Sequence, residues 1–256
     1  MEVAVIGAGG FVGSAFVRQL RAVGHNPEEV RRETFGRHPG RSWDLVVDAA
    51  GNSRKYLAEK EPWRDFELSV GHKAAVLERY PAQFHLHVSS VDVYADVSRP
   101  ETTREDSPTG LGASRYGFHK WMAEEMVRFH ADHYLICRLA GMVGSGLKKN
   151  PVYDILHDAS LQIHSESKYQ FLGTDDAARL CLDLWKKGSD REVFNVCGRG
   201  LITPAKVAQI AGRSIRVKEG CTPRIVDVDI RKLQTKADVP ATSEVIQAYL
   251  AESKSA

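Results

Sequence analysis

Short apolar runs alternate along this chain with longer stretches whose apolar positions recur every three or four residues. Val3 to Ile6 is one such run, the length of a buried strand. It passes through Gly7-Ala8-Gly9-Gly10-Phe11-Val12-Gly13 into Ser14 to Val23, where apolar residues fall at helical spacing. Further buried-strand candidates are Asp44 to Ala50, Phe84 to Ser89 and Tyr134 to Leu139. The pattern predicts helices near 62–79 and 113–131, and another beginning at Asp175. Thr174 reads as the N-cap of that last helix, with Asp175 and Asp176 suited to the positive end of its dipole. Thr203 followed by Pro204 is a second cap, with proline at the first helical position. Strands and helices alternating in this way imply an α/β fold, a Rossmann-like doubly wound parallel sheet.

Gly7, Gly10 and Gly13 sit every third residue between the first strand and the first helix. That spacing lets the backbone turn tightly, approach a pyrophosphate and pack the helix on the strand. Phosphate then rests on the helix N-terminus, where unpaired N–H groups and the dipole favour negative charge. Gly7, Gly10, Phe11, Val12 and Gly13 are therefore cofactor-binding candidates. About twenty residues separate this helix from the strand at Asp44, too few for a full strand, helix and strand. The second-strand region is expected to be abbreviated. It carries Arg31, Arg32, Arg37, His38 and Arg41 beside Glu28, Glu29 and Glu33. In a dinucleotide site an acidic residue here selects the ribose 2′-hydroxyl and arginine accommodates a 2′-phosphate. Arg32 thus tilts the expected cofactor, NAD(P), toward NADP; a solvated basic loop is the alternative for the segment.

Tyr116 and Lys120 stand four apart in Ser-Arg-Tyr-Gly-Phe-His-Lys (114–120), so on a helix they share a face. An adjacent ammonium favours the ionised phenol, and a tyrosine with a pKa near ~10 carries protons poorly at neutral pH without such help. Ser90, at the end of a strand candidate, adds a hydroxyl for the oxygen of a carbinol or carbonyl. Serine, tyrosine and lysine so placed point to redox chemistry. Asp92, two residues after Ser90, suits a turn at the strand end.

Composition narrows the partners. The 256 residues are 43% hydrophobic, enough for a full core, and 35 basic residues against 33 acidic ones give a formal charge of +2. With no long block of one sign, neither nucleic acid nor an anionic membrane is implied, and a small-molecule partner fits better. No apolar run approaches the ~18 residues that span a bilayer, and the opening run is too short for a signal peptide, so the cytoplasm is the expected location. Cys137, Cys181, Cys197 and Cys221 form no C-x-x-C pair, which suggests neither zinc nor a disulfide framework. His85, His87, His130 and His133 lack a supporting carboxylate cluster, so no metal is expected.

Taken together, these landmarks resemble an extended short-chain dehydrogenase/reductase of the NAD-dependent epimerase/dehydratase family, whose members act on nucleotide sugars. The resemblance runs from Gly7 to about Leu250. It rests on the glycine turn, on Ala49-Ala50 closing a strand, on Val88-Ser89-Ser90-Val91-Asp92-Val93-Tyr94, and on Tyr116 with Lys120. Thr174-Asp175-Asp176-Ala177-Ala178 and Phe194-Asn195-Val196-Cys197-Gly198 add two late landmarks. The resemblance implies that Ser90, Tyr116 and Lys120 carry catalysis, with Lys120 also holding the nicotinamide ribose and Ala49 and Ala50 lining the cofactor. It implies an NAD(P)-dependent oxidoreductase or epimerase, with a dehydratase using Asp92 as second base as one alternative and a non-catalytic NAD(P)-binding regulator as another. A dinucleotide-binding domain of 1–140 plus 173–195 and a reduced C-terminal substrate-binding lobe of 141–172 plus 196–256 follow, the lobe holding a nucleotide-sugar-like small molecule. Lys148, Lys149, Asn150, Arg199 and Arg224 are candidate diphosphate contacts there. The same resemblance implies a homodimer through the helices near 62–79 and 113–131. Two departures stand out. Arg138 to Ser145 lacks the asparagine and tyrosine common in this family, and Ser69 replaces a common asparagine.

Overall fold

In the computed structural model, which describes residues 1–37 and 41–255, the apolar runs become strands of one parallel sheet. β1 (Val3–Ile6) leads to α1 (Gly13–Ala22) and the short β2 (Glu28–Val30). β3 (Trp43–Asp48) is followed by α2 (Lys55–Lys60), α3 (Pro62–Phe66), a π-helical turn at Glu67–Gly71, and α4 (His72–Arg79). Then come β4 (Ala82–Ser90), α5 (Arg115–His130) and β5 (Tyr134–Leu139). The remainder forms β6 (Gly141–Val143), α6 (Pro151–Leu156), β7 (Phe171–Gly173), α7 (Thr174–Lys186), β8 (Glu192–Val196), α8 (Pro204–Ala211), α9 (Arg231–Gln234) and α10 (Thr242–Ser255).

The strand order is β2-β1-β3-β4-β5-β8, and every neighbouring pair is parallel. The chain goes outward from β1 to β2 and returns on the other side to β3. Between β1 and β3 the order reverses, which opens a crevice at the carboxyl ends of the strands. Gly7 and Ala49-Ala50 lie at that point. β2 is three residues long, and no helix joins it to β3 among the described residues. His38, counted among the cations of that segment, lies outside the described residues.

One face of the sheet is apolar. Val5, Leu45, Leu86 and Leu135 pack on Phe16 and Leu20 of α1 and on Leu180 and Leu184 of α7, and the same core continues through Val152, Ile155, Val207, Ile246 and Leu250. The C-terminal segments therefore share a core with the sheet. The opposite face carries two smaller apolar clusters, around Ile6, Trp43 and Val46 and around Val127 and Ile136, with buried polar residues between them. His85, His87 and Ser89 alternate along β4 and so share a face, and all three are buried. Asp48 and Lys73 form a buried ion pair there. Arg138 grips Glu124 of α5 with two bonds, Nε to Oε1 at 3.0 Å and Nη2 to Oε2 at 2.7 Å. Ser89 Oγ donates to the same Oε1 at 2.6 Å, and Arg138 Nη1 donates to the Tyr94 hydroxyl at 2.7 Å. A buried pair of this kind adds little stability in itself but is costly to break, so it fixes where α5 lies on β4 and β5.

One cap differs from expectation. Gly173 precedes α7 and Thr174 is already helical; its hydroxyl turns inward against Gly144 and finds no hydrogen-bond partner among the described residues. Space explains the change, since a Cβ on Gly144 would lie 2.3 Å from Thr174 Oγ1. Asp175 does sit in the first turn, where it pairs with Arg18 of α1 at 2.6 Å. Thr203 caps α8 as read, its Oγ1 accepting from Lys206 N at 3.1 Å with Pro204 at the first position.

Candidate active site

The glycine turn is tight for a measurable reason. Gly7 has a φ of 79°, and its N–H donates to Val30 O at 2.9 Å. A Cβ on Gly7 would meet Ala50 N at 3.0 Å, and one on Gly13 would lie 2.1 Å from Gly7 O. Only glycine lets α1 start this close to the turn, which brings the N-terminus of a ten-residue helix, where a phosphate could rest, against the end of β1. Phe11 and Val12 stand half-buried in the turn. Arg31, rather than Arg32, approaches it: the Arg31 side chain lies 3.7 Å from where a Gly9 Cβ would be, and its guanidinium pairs with Glu29 at 2.8 Å. Arg32 is exposed.

Ser90, Tyr116 and Lys120 come together at the carboxyl end of β4. Ser90 ends the strand; a 3₁₀ turn at Val91–Val93 follows and receives the N-terminal part of α5. Gly117, between Tyr116 and Lys120, makes the approach possible, because a Cβ there would lie 1.8 Å from Asp92 O. Ser114 starts the helix, its Oγ accepting from Gly117 N at 3.2 Å. Tyr116, His119 and Lys120 then share a buried face at i, i+3 and i+4. The Lys120 ammonium lies 5.7 Å from the Tyr116 ring centroid.

The electrostatics correct one expectation. Lys120 was to favour the ionised phenol, yet the Tyr116 pKa is pushed up. Burial is the main cause, the negative charges of Asp92 and Asp65 add to it, and hydrogen bonding with Ser90 opposes them. Tyr116 is thus a protonated phenol at neutral pH, the form that gives a proton. Lys120 is itself lowered to about 8, by burial first and then by Lys73, with Asp48, Asp65 and Asp92 pulling the other way. Among the described residues it makes no side-chain hydrogen bond, and only burial and neighbouring charges shift it. A nearly buried ammonium without a protein partner is a fitting donor to ribose hydroxyls. Gly51, with φ 115°, brings backbone next to it; a Cβ there would be 3.2 Å from Lys120 Nζ.

Ser90 is more constrained than its sequence suggests. Its Oγ donates to Asp92 Oδ2 at 2.9 Å and accepts from Asp92 N at 3.2 Å. A reacting oxygen must compete with Asp92 for the Ser90 proton. Lys55, at the start of α2, pairs with that carboxylate at 2.7 Å and so weakens its hold.

Several participants escaped the sequence reading. Asp65 is fully buried; it accepts from Asn52 Nδ2 at 2.6 Å and Ser69 Oγ at 3.4 Å, and His119 Nδ1 lies 2.7 Å from its other oxygen. Ser69, which replaces the common asparagine, is thereby tied to α3 from the π-helical turn, a distortion that recurs at functional sites. Of the candidate diphosphate contacts, Lys149 reaches across the cleft to the Ser53 carbonyl. Asn150 caps α6, its Oδ1 accepting from Tyr153 N at 2.9 Å. Lys148, Arg199 and Arg224 are exposed. A concavity of about 640 Å³ bounded by Arg104, Glu105, Glu192 and Lys232 lies at the other end of β8. Its acidic and basic side chains are matched in number, and none of the glycine-turn residues, Ser90, Tyr116 or Lys120 lines it.

A family model described as the NAD dependent epimerase/dehydratase family matches residues 3–197, which ends well short of the expected Leu250. Solved structures extend the likeness over the whole chain at the level of fold. A UDP-galactose 4-epimerase is 22% identical with a TM-score of 0.82, covering 100% of this chain and 99% of its own. A UDP-glucuronic acid 4-epimerase from Bacillus cereus, solved with UDP-glucuronic acid and NAD, is 17% identical with a TM-score of 0.80 and the same coverage. A dTDP-4-dehydrorhamnose reductase from Bacillus anthracis, solved with NADP, is 15% identical with a TM-score of 0.80, covering 98% of this chain and 99% of its own. No curated protein matches the chain.

Proposed function

Because the chain belongs to the NAD-dependent epimerase/dehydratase family, we propose that it is an NAD(P)-dependent enzyme that moves hydride at a secondary alcohol or ketone of a nucleotide-activated sugar. The observation that carries this reading is the convergence of Ser90, Tyr116 and Lys120 beside the crevice at the β1–β3 switch point. A regulator that only bound the dinucleotide would not need a buried, protonated phenol there.

When bound, the nicotinamide supplies or accepts the hydride. The chain's own residues do the rest. Gly7, Gly10 and Gly13 let the turn and α1 close tightly so that backbone can approach the pyrophosphate, with Phe11, Val12, Ala49 and Ala50 as walls. Lys120 holds ribose hydroxyls and orients the reacting face. Tyr116 gives its proton to the oxygen of a carbonyl being reduced and recovers it when an alcohol is oxidised. Ser90 orients that oxygen. Burial keeps Tyr116 protonated, which suits reduction of a ketone; epimerisation would begin with oxidation of an alcohol and would need the phenolate to take that proton first.

Dehydration is less favoured because the Asp92 oxygens already engage Lys55 and Ser90, which leaves no free base. For the cofactor, Arg31 beside the turn and exposed Arg32 support a slight preference for NADP. Residues 1–140 plus 173–195 would bind it, and 141–172 plus 196–256 would hold the sugar nucleotide. Val70, Met122, Met126 and Phe129 make an apolar surface on α5 and the π-helical turn, which supports a homodimer. No described helix is long and apolar enough to cross a membrane.

A panel of nucleotide sugars tests the proposal, with nicotinamide absorbance reporting net reduction and proton spectra of the sugar reporting epimerisation. Turnover of one pair with NADPH or NADH is expected. Tight dinucleotide binding with no change in any sugar would refute it.

A further inference from the structure

The mouth of the crevice carries positive charge that hydride transfer does not require. Arg54 and Lys55 follow the β3 loop, and Lys149 comes from the opposite wall, its Nζ donating to Ser53 O. Lys55 meets Asp92; neither Arg54 nor Lys149 forms an ion pair with a carboxylate among the described residues. Of these three cations, only Lys55 has a carboxylate partner among the described residues. Lys149 is held close enough to the other two that they, after burial, lower its pKa.

The platform under these cations is built. Asn52, 5% exposed, accepts from Arg54 N at 2.8 Å and donates to Arg54 O at 3.0 Å. Its amide also donates to buried Asp65, which contacts His119 on the helix of Tyr116 and Lys120. One buried carboxylate therefore fixes both the cationic loop and the catalytic helix.

Position indicates what the cations read. Lys55 Nζ is 2.7 Å from the Asp92 carboxylate, which takes the Ser90 proton at 2.9 Å. Through Asp92, the Lys55 charge therefore flanks the Ser90 hydroxyl that would orient the reacting oxygen, and Arg54 and Lys149 lie close to Lys55. A neutral sugar leaves this positive charge unanswered. The geometry points to a substrate whose sugar carries a carboxylate next to the reacting carbon, recognised by Arg54, Lys55 and Lys149. Arginine offers that group a planar two-pronged contact and the lysines offer point charges. This rests on the nucleotide-sugar reading and narrows it to hexuronates.

Matched pairs of neutral and uronic nucleotide sugars, on uridine, thymidine and guanosine diphosphates, decide the matter by calorimetric titration of the NADPH-saturated protein. One base should bind, with the uronate at least tenfold tighter than its neutral partner. Lys149→Gln and Arg54→Gln should each cut that ratio several-fold, and Lys149→Glu should reverse it. A ratio near one, or variants that weaken both members equally, would overturn the inference and assign the cations to the shared diphosphate. Binding of no member of any pair would overturn this inference and the nucleotide-sugar reading together.

Discussion

Replacing Lys120 with methionine should make the protein more stable while ending its catalysis. Lys120 is 7% exposed, and its surroundings hold its pKa at about 8 against an ordinary 10.5. At 1.36 kcal/mol per pH unit, that difference costs the folded chain about 3 kcal/mol. The cost is present in full below about pH 8, where folded and unfolded chains both carry the proton. Between pH 8 and 10.5 the unfolded chain alone keeps it, so stability recovers as pH rises; above 10.5 the cost is gone. Methionine has a similar reach and no charge, so Lys120→Met should gain about 2–3 kcal/mol at pH 7 and progressively less toward pH 10.5. Urea denaturation of both proteins at pH 7, 9 and 10.5, without added nucleotide, reads this from the midpoints at constant slope. A variant less stable at pH 7, or a gain that does not shrink with pH, would refute the reasoning.

Other consequences follow from the same contacts. Gly117→Ala places a methyl where Asp92 O lies 1.8 Å away, so α5 must shift; a loss of about 1–3 kcal/mol in denaturation and at least tenfold in kcat is expected. Arg138→Met leaves Glu124 buried without its bidentate partner and should cost about 3–5 kcal/mol in denaturation, whereas a cost below about 1 would contradict the network's role. Asp92→Asn removes the partner of Lys55, and no elimination product should form with either protein by mass spectrometry; an elimination product made by the wild type and lost in the variant would restore the dehydratase reading.

Much of the sheet was readable because it depends on local signals. Short apolar runs flanked by glycine or polar residues are buried parallel strands, and the Gly7, Gly10, Gly13 spacing fixes the first βα unit. Tyr116 and Lys120 were legible for a similar reason, since a four-residue spacing on a helix fixes a shared face. What stayed hidden depends on distant partners. Nothing adjacent to Asp65 signals that it is wholly buried under Asn52 and His119, and Lys55 meets Asp92 across 37 residues. The Tyr116 environment was misread because adjacency to Lys120 says nothing about burial or about Asp92 and Asp65. One hint was available: glycine inside a helix costs about 1 kcal/mol, so Gly117 marked a close approach. Thr174 misled because a threonine before two aspartates reads as a cap, while space beside Gly144 decided where its hydroxyl went.

The central claim is that the Tyr116 phenol delivers the proton that accompanies hydride transfer. The most direct test is the single-turnover rate of nicotinamide absorbance change for wild-type and Tyr116→Phe protein, each saturated with cofactor and mixed with the nucleotide sugar it turns over. A fall of about 10²–10⁴-fold is predicted for the variant. An unchanged rate would contradict the account.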